Sequence, residues 1–233
     1  MLPISLRTIS IDMFSLNDTL LAKSRAVLAT RPDLFWLIGG SGSGKSTTAQ
    51  ALGARTGITV YDMDVAVFSR FHFDPTRHPA TMAWFTADNP LHWMLSRPWA
   101  DFDALYCAAN AEYLDLLAGD LAGQPDEPLL IDGGITHPSV LTQVIPAARI
   151  ICLERDEAQR AAEWHTSTAR APMRDEILAL PDGAALWRRF VEYDRQMTET
   201  LSRESRECGI QILRWGENDT VEVVGERVLR LLY

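Results

Sequence analysis

The chain has 233 residues, of which 47% are hydrophobic and 23% are charged, and its formal net charge is −9. This length suits one domain with a full core, and the composition is typical of a soluble globular protein. The acidic balance argues against broad nucleic-acid binding, which needs a basic face, and no apolar run approaches the roughly 20 residues of a membrane span.

The cysteines and the N-terminus bear on the compartment. Cys107, Cys152 and Cys208 are odd in number and widely spaced, which argues against a disulfide framework or a zinc site and favours a reducing environment. Residues 1–11 lack a basic region followed by a long apolar core, so we do not expect a secretory signal. These features predict a single cytoplasmic domain over residues 1–233, as a monomer or homodimer.

The first predicted element is a helix over residues 15–30. Asn17, or its neighbours Ser15 and Asp18, can cap the N-terminus, and apolar residues at helical spacing form one face. Arg31-Pro32 ends the helix. Residues 1–32 are therefore predicted to be an N-terminal helical extension.

Five short apolar runs follow, separated by longer helical stretches. They are Leu34–Ile38, Ile58–Tyr61, Leu129–Ile131, Arg149–Leu153 and Ile210–Leu213. Continuous apolar strands that alternate with helices are typical of a parallel sheet covered on both faces. We therefore predict an α/β fold with a doubly wound, five-stranded parallel sheet.

A glycine loop connects the first run to the next helix. Its residues match the P-loop pattern G-x-x-x-x-G-K-[ST], and its lysine, Lys45, is one of only two in the chain beside twenty arginines. In this pattern backbone N–H groups surround a phosphate at a helix N-terminus, the lysine reaches the β- and γ-phosphates, and the serine hydroxyl binds Mg²⁺. The residues predicted to bind ATP are Gly39, Gly40, Ser41, Gly42, Ser43, Gly44, Lys45, Ser46 and Thr47.

The alternative is a flexible serine-glycine linker. Linkers do not usually lie between a buried strand and a helix-forming run, and both flanks are present here. The sequence therefore favours nucleoside triphosphate binding.

Carboxylates follow two of the other predicted strands. Asp62 and Asp64 lie 17 and 19 residues beyond Lys45, and Asp132 closes the third run in the manner of a Walker B acid. Ligand chemistry in such folds gathers at the carboxyl ends of strands, and a kinase needs one carboxylate near Mg²⁺ and another near the acceptor hydroxyl. The alternatives are a helix cap and a surface acid for the first two, and turn chemistry at Asp132-Gly133 for the third.

Two segments interrupt the alternation of strands and helices. Residues 71–100 contain four prolines and three tryptophans, Trp84, Trp93 and Trp99, which indicates an irregular or broken-helical insertion before a helix from about Asp101 to Leu117. The tryptophans either form a core or line an acceptor pocket. Residues 166–183 are predicted to be a mobile connection between two helices.

Together these residues resemble the shikimate kinase and gluconate kinase branch of the P-loop kinases. The resemblance rests on the P-loop, the D-x-D pair, the strand ending in D-G-G, Arg170-Ala171-Pro172 as an R-x-P element, and Arg189…Tyr193 as R-x-x-x-Y. The loop from Gly216 to Thr220 matches the adenine-side loop. The segment IGGSGSGKST is also similar to the P-loop of uridine kinase-like and pantothenate kinase-like proteins.

The resemblance implies roles for further residues. Asp62 would lie in the magnesium shell, Asp64 would contact the acceptor, and residues 166–183 would form a helical lid in which Arg170 or Arg174 closes on ATP. Arg189 would hold an anionic group of the acceptor. Residues 65–127 would be an acceptor-binding insertion that is longer than the family usually has. The family's acceptor-binding arginine there has Arg70, Arg77 and Arg97 as candidates, and Ile135 replaces the third glycine of G-G-G.

The sequence thus predicts a kinase that moves the γ-phosphoryl group of ATP to a hydroxyl of a small metabolite, with Mg²⁺. Lys45 and Ser46 would hold triphosphate and metal, Asp62 and Asp132 would support the metal, and Asp64 would accept the proton. Arg174 and Arg189 complete the predicted catalytic set, and Arg170 the ATP site. A nucleoside or nucleotide kinase, a kinase acting on a sugar nucleotide, and a nucleotide-dependent regulatory NTPase are the alternatives.

Overall fold

The five apolar runs form the strands of one sheet in the computed structural model, which describes residues 14–232. The strands are β1 (Leu34–Ile38), β2 (Thr59–Asp62), β3 (Leu129–Asp132), β4 (Ile150–Glu154) and β5 (Gln211–Arg214). Every pairing is parallel, and the order is β2-β3-β1-β4-β5. Each strand lies within one residue of its predicted run, so the predicted α/β fold is confirmed.

Helices connect the strands, and because the strands are parallel, the P-loop and the polar residues that follow β2 and β3 lie at the same end of the sheet. The helices among the described residues are α1 (Asp18–Leu28), α2 (Lys45–Thr56), α3 (Met63–Val65), α4 (Pro79–Phe85), α5 (Pro90–Leu95), α6 (Trp99–Leu121), α7 (Pro138–Leu141), α8 (Glu157–Thr166), α9 (Ala171–Leu178), α10 (Gly183–Glu207) and α11 (Val221–Leu232). The Asn17 side chain, one of the three capping candidates in the sequence, caps α1, whereas α11 was not anticipated. Residues 1–13 of the predicted extension lie outside the described residues.

Helices cover both faces of the sheet because β1 sends alternate side chains in opposite directions. Leu34, Trp36 and Ile38 are buried with α1 and α6 on one face. Phe35 and Leu37 are buried with α2 and α11 on the other. Such two-sided burial explains why the strand is apolar at every position.

The insertion is broken-helical, because prolines start two of its short helices. Pro79 and Pro90 occupy the first turns of α4 and α5, where the missing proline N–H would have no helical partner. The long helix α6 then crosses the sheet and packs against α1. The predicted helix from Asp101 is therefore confirmed and begins two residues earlier.

The segment 166–183 is more ordered than the mobile connection that its prolines and glycine indicated. It contains α9, whose Ile177 is fully buried in a cluster with residues of α5, α6, α8 and α10. Apolar burial thus overrides the local turn signals. Within residues 14–232, no helix combines the length and the apolar character required to cross a lipid bilayer.

Candidate active site

The P-loop connects the carboxyl end of β1 to the N-terminus of α2. Gly44 is the N-cap of α2 with φ +83°, a conformation that side chains rarely adopt, so glycine is needed there. A Cβ on Gly44 would also lie 2.6 Å from Cζ2 of Trp215. The indole of Trp215 therefore lies directly against the loop. The positive end of the α2 dipole faces a surface depression, here called the P-loop depression. It is lined by the loop itself and by Arg155, Glu163, Trp164 and Arg170.

Ser46 and Asp132 meet across this edge. The Asp132 carboxylate is 3% exposed, its Oδ1 has no hydrogen-bond partner, and the Ser46 hydroxyl lies near enough to influence its pKa. Burial raises the pKa of Asp132, while the Ser46 hydroxyl and the charge of Lys45 oppose that rise. A hydroxyl beside a buried carboxylate with a free oxygen fits Mg²⁺, which prefers oxygen ligands.

Asp62 lies next to Asp132, because these two residues are direct partners in the β2–β3 register. Its Oδ1 accepts a hydrogen bond of 2.9 Å from the Val65 N–H and so caps α3. Among residues 14–232 no group of three or more His, Cys, Asp or Glu side chains forms a metal site. Mg²⁺ that retains waters and binds substrate phosphates needs only one or two protein carboxylates. The pair Asp62 and Asp132 is therefore sufficient for Mg²⁺, although no larger group of ligands is present among these residues.

Lys45 and Asp64 approach each other at Gly133. A Cβ on Gly133, which has φ +71°, would lie 3.0 Å from Cε of Lys45 and 3.4 Å from Oδ2 of Asp64. The Gly133 carbonyl accepts a 2.9 Å hydrogen bond from Nε1 of the fully buried Trp36. The turn after β3 is thereby tied to the core and leaves room for the side chains of Lys45 and Asp64.

Asp64 is exposed and lines a cavity next to the P-loop. Desolvation raises its pKa, and the nearby Asp62 raises it further. Lys45 and a hydrogen bond from the Gly134 N–H act in the opposite direction. A carboxylate with a raised pKa is suited to accept a proton near neutral pH.

The cavity has a volume of about 200 Å³ and extends from the P-loop and Asp64 into the insertion. Its walls are largely apolar side chains of the segment after β2 and of α4, α6 and α10. They include Phe68, Trp84, Leu105, Tyr106 and Met197. Of the three tryptophans considered in the sequence, Trp84 lines the cavity, whereas Trp93 and Trp99 pack in hydrophobic clusters.

The three predicted arginines have different surroundings. Arg170 lies beside the P-loop, with Nη2 3.3 Å from the Glu163 carboxylate and its guanidinium 4.1 Å from the Trp164 ring. Arg174 donates to the carbonyl of His165 at 3.0 Å. Among the described residues, those that line the cavity or the P-loop depression include Arg170 but not Arg174.

Arg189 and Tyr193, the R-x-x-x-Y pair, hold the end of α5. Arg189 donates to the carbonyl oxygen of Leu95 at 2.6 Å, and Tyr193 donates to that of Arg97. Neither residue lines the cavity. In this arrangement the pair satisfies carbonyls that a helix C-terminus leaves without partners.

Two residues near the P-loop were not assigned by sequence reasoning. Arg155 lines the P-loop depression. Its guanidinium lies 3.0 Å from the Glu163 carboxylate and 5.5 Å from the centroid of the Trp215 ring. Both residues directly follow strands, Arg155 one position after β4 and Trp215 one position after β5. Their place at the carboxyl ends of strands was the available signal.

Comparisons with known proteins bear on the fold. No family model matches the chain, and no curated protein matches it significantly. A solved structure of the protein TT1252 from Thermus thermophilus aligns with a TM-score of 0.52 and 16% identity, covering 86% of this chain and 96% of that one. Shikimate kinase from Acinetobacter baumannii, solved with shikimate, aligns with a TM-score of 0.47 and 13% identity, covering 90% of this chain and 96% of that one. The chain therefore shares the α/β fold of TT1252, at an identity that carries information on fold alone.

Proposed function

We propose that this protein is a kinase that transfers the γ-phosphoryl group of ATP to a hydroxyl of a small molecule. The observation that carries the proposal is the place of Asp64, which adjoins Lys45 of the P-loop on one side and a ring-sized, partly open cavity on the other. A purely regulatory NTPase needs the P-loop but has no need of a carboxylate directed into such a cavity.

The P-loop would hold the triphosphate. The backbone N–H groups between Gly39 and Ser46 surround the phosphates, and Lys45 adds a positive charge at the β- and γ-phosphates. Ser46, Asp132 and Asp62 would hold Mg²⁺, which neutralises charge on the phosphates when it is bound. Thr47, exposed at the start of α2, would contribute to the same anion site.

Asp64 would act on the acceptor. Its carboxylate accepts the proton of the acceptor hydroxyl while the hydroxyl oxygen bonds to the γ-phosphorus. The bond from that phosphorus to the β–γ bridging oxygen breaks, and ADP leaves. Lys45 remains beside the transferred group and stabilises its negative charge.

The arginines would complete charge neutralisation. Arg170 and Arg155 are the best situated, and ATP would compete for the guanidinium groups that Glu163 now binds. Roles for Arg174 and Arg189 stay predictions, since both bind backbone carbonyls away from the P-loop depression. We also propose that the protein works in the cytoplasm, as a monomer or homodimer.

The test is an ATP-consumption screen with MgATP and pooled hydroxylated small molecules. Slow hydrolysis in water and strong stimulation by one pool are expected, followed by mass-spectrometric detection of the phosphorylated product. Lys45→Ala should lose the stimulation. Lys23→Ala is a matched control, because the other lysine of the chain is exposed on α1.

ATP binding without stimulation by any hydroxylated compound, but with stimulation by a macromolecule, would contradict the proposal. A regulatory NTPase would then be the better assignment.

A further inference from the structure

We infer that the acceptor is an uncharged molecule with an apolar, ring-sized body, and that anionic metabolites are excluded from this site. The inference rests on the proposed function and adds the chemical class of the acceptor. It follows from what lines the cavity beside Asp64 and from how the neighbouring arginines are engaged.

The walls of the cavity offer mainly hydrocarbon. Trp84, Leu105, Tyr106 and Met197 line it, and its volume is about 200 Å³. An apolar cavity of roughly 150 Å³ in another protein binds benzene, so this one has room for a substituted ring. Apolar and aromatic walls favour ligands that present hydrocarbon surface.

Four of the hydroxyl groups of the lining are already bonded within the protein. Thr81 Oγ1 donates to Glu112 at 2.6 Å, Thr198 Oγ1 donates to the Asp194 carbonyl at 2.9 Å, and the Tyr106 hydroxyl donates to Sδ of Met94 at 3.5 Å. Thr136 Oγ1 bonds to Asn110 at 3.3 Å. Few polar groups thus remain to replace the water around a highly hydroxylated or charged ligand.

Two of the three charged residues of the lining are acidic and repel an anion. They are Asp64 and Asp194, and the third, Lys45, is needed by the phosphates of ATP. Of the described residues that line the cavity, none is an arginine. A carboxylate on the acceptor would therefore be desolvated near two carboxylates without a partner of opposite charge.

Nearby arginines that could bind an anion are engaged elsewhere. Arg70 pairs with Asp120 at 3.1 Å, Arg77 pairs with the buried Asp115, and Arg97 lies 4.0 Å from the Trp93 ring. Arg189 is bonded to the Leu95 carbonyl. Recruiting any of them would break a contact already made.

A cationic acceptor is also disfavoured. Asp194 already accepts a 3.0 Å hydrogen bond from Nε1 of Trp164, and Asp64 is required by the acceptor hydroxyl. An ammonium group would therefore compete with groups already in use.

The rim of the cavity is apolar as well. Phe68 is 64% exposed while it lines the cavity, and its ring centroid lies 6.1 Å from that of Phe85, which is 40% exposed. An apolar ligand would cover Phe68, which gives this exposed aromatic side chain a reason to be there.

The experiment compares matched probes. Benzyl alcohol, its para-carboxylate and its para-aminomethyl derivative are titrated with and without MgADP, and binding is followed by ligand-observed NMR. The set is repeated with cyclohexylmethanol and its carboxylated derivative. We expect each neutral alcohol to bind at least about tenfold more tightly than its charged derivatives.

Variants show whether binding occurs in this cavity. Trp84→Ala should lower the affinity for benzyl alcohol by roughly tenfold, since an aromatic contact is lost. Phe68→Ala should lower this affinity by a smaller factor. Trp93→Ala, a matched aromatic change, and Leu178→Ala, the removal of an exposed apolar side chain, are controls at residues that do not line the cavity, and they should leave the affinity unchanged.

Equal or tighter binding of a carboxylated or aminomethyl probe would overturn the inference, as would failure of both neutral alcohols up to their solubility limit. Binding that is unaffected by Trp84→Ala would also overturn it. Absence of MgADP binding would instead remove the proposed function, while the selectivity among the probes could still be read without nucleotide.

Discussion

Asp64 lies near Lys45 and also lines the cavity, which is the position that the proposed function requires of a proton acceptor. Gly133 admits both Asp64 and Lys45, since a Cβ there would crowd the two side chains. Asp64→Asn keeps the size and shape of the side chain but removes the base. We expect phosphoryl transfer to fall by about 10²–10⁴-fold with little change in ATP affinity.

Steady-state transfer rates and calorimetric ATP affinity, measured on the same preparation, check this expectation. Asp88→Asn, an exposed acid between α4 and α5, is the control. Normal turnover by Asp64→Asn would reject the assignment of Asp64 as the proton acceptor.

The raised pKa of Asp64 sets the direction of the pH dependence. The ionised carboxylate is the active form, so kcat/KM for the acceptor should fall as the pH is lowered through the raised pKa. The acid limb of the profile should lie above about 3.9, the ordinary pKa of aspartate. A profile that stays flat down to that pH would contradict the role of desolvation.

The same shift has a consequence for stability. Because the pKa of Asp64 is higher in the folded state than in the unfolded state, the native state keeps this proton up to a higher pH. The wild type therefore loses stability as the pH rises from the unfolded-state pKa through the folded-state pKa. Asp64→Asn should therefore melt at a higher temperature than the wild type at neutral pH. The difference should vanish at a pH below the ordinary pKa of aspartate, and scanning calorimetry across pH measures it.

At the scale of elements, α4 depends on a buried carboxylate of α6. Glu112, 3% exposed, accepts hydrogen bonds from the N–H groups of Ala80 and Thr81, at 2.9 and 2.8 Å, and from the Thr81 hydroxyl. Glu112→Ala would leave these donors without a partner and should lower the free energy of unfolding by about 3 kcal/mol.

Urea denaturation measures this loss. Glu112→Gln, which retains one carbonyl oxygen, should lose less stability. Because α4 carries Trp84, Glu112→Ala should also weaken acceptor binding. Unchanged stability would show that α4 is held by other contacts.

The strands and the P-loop were predictable because their signals are local. Continuous apolar runs identified all five strands, and the pattern of Gly39–Ser46 identified the loop between β1 and α2 from eight adjacent residues. The fold of residues 166–183 was harder to predict, because the burial of Ile177 depends on α5 and α10, which are distant in the chain.

The remaining parts of the site depend on tertiary contacts. Trp215 lies on Gly44, and Trp84 rather than Trp93 faces the cavity, only because of how helices and strands pack. Arg189 matched a family motif in sequence, yet its guanidinium binds the end of α5. Spacing along the chain does not determine which partner such a side chain finds.

At the scale of the molecule, the insertion and the predicted lid share one hydrophobic cluster. Leu95 and Met94 of α5 are buried with Trp164 of α8 and Ile177 of α9. An acceptor that contacts α4 and ATP that contacts Arg170 would thus act on elements that are packed together. This packing offers a route by which one substrate could influence the affinity for the other.

The P-loop depression carries basic residues although the chain as a whole is acidic. The net charge is −9, yet Lys45, Arg155 and Arg170 converge on the P-loop. Local positive charge and backbone N–H groups can attract a triphosphate despite the overall repulsion.

The most direct measurement is calorimetric titration of the wild type, Lys45→Ala and Lys23→Ala with a nonhydrolysable ATP analogue and Mg²⁺. We predict one site per chain, with a dissociation constant between about 1 μM and 1 mM, binding weakened at least about tenfold by Lys45→Ala, and no change for Lys23→Ala. Absence of binding to the wild type, or equal binding by Lys45→Ala, would contradict the account.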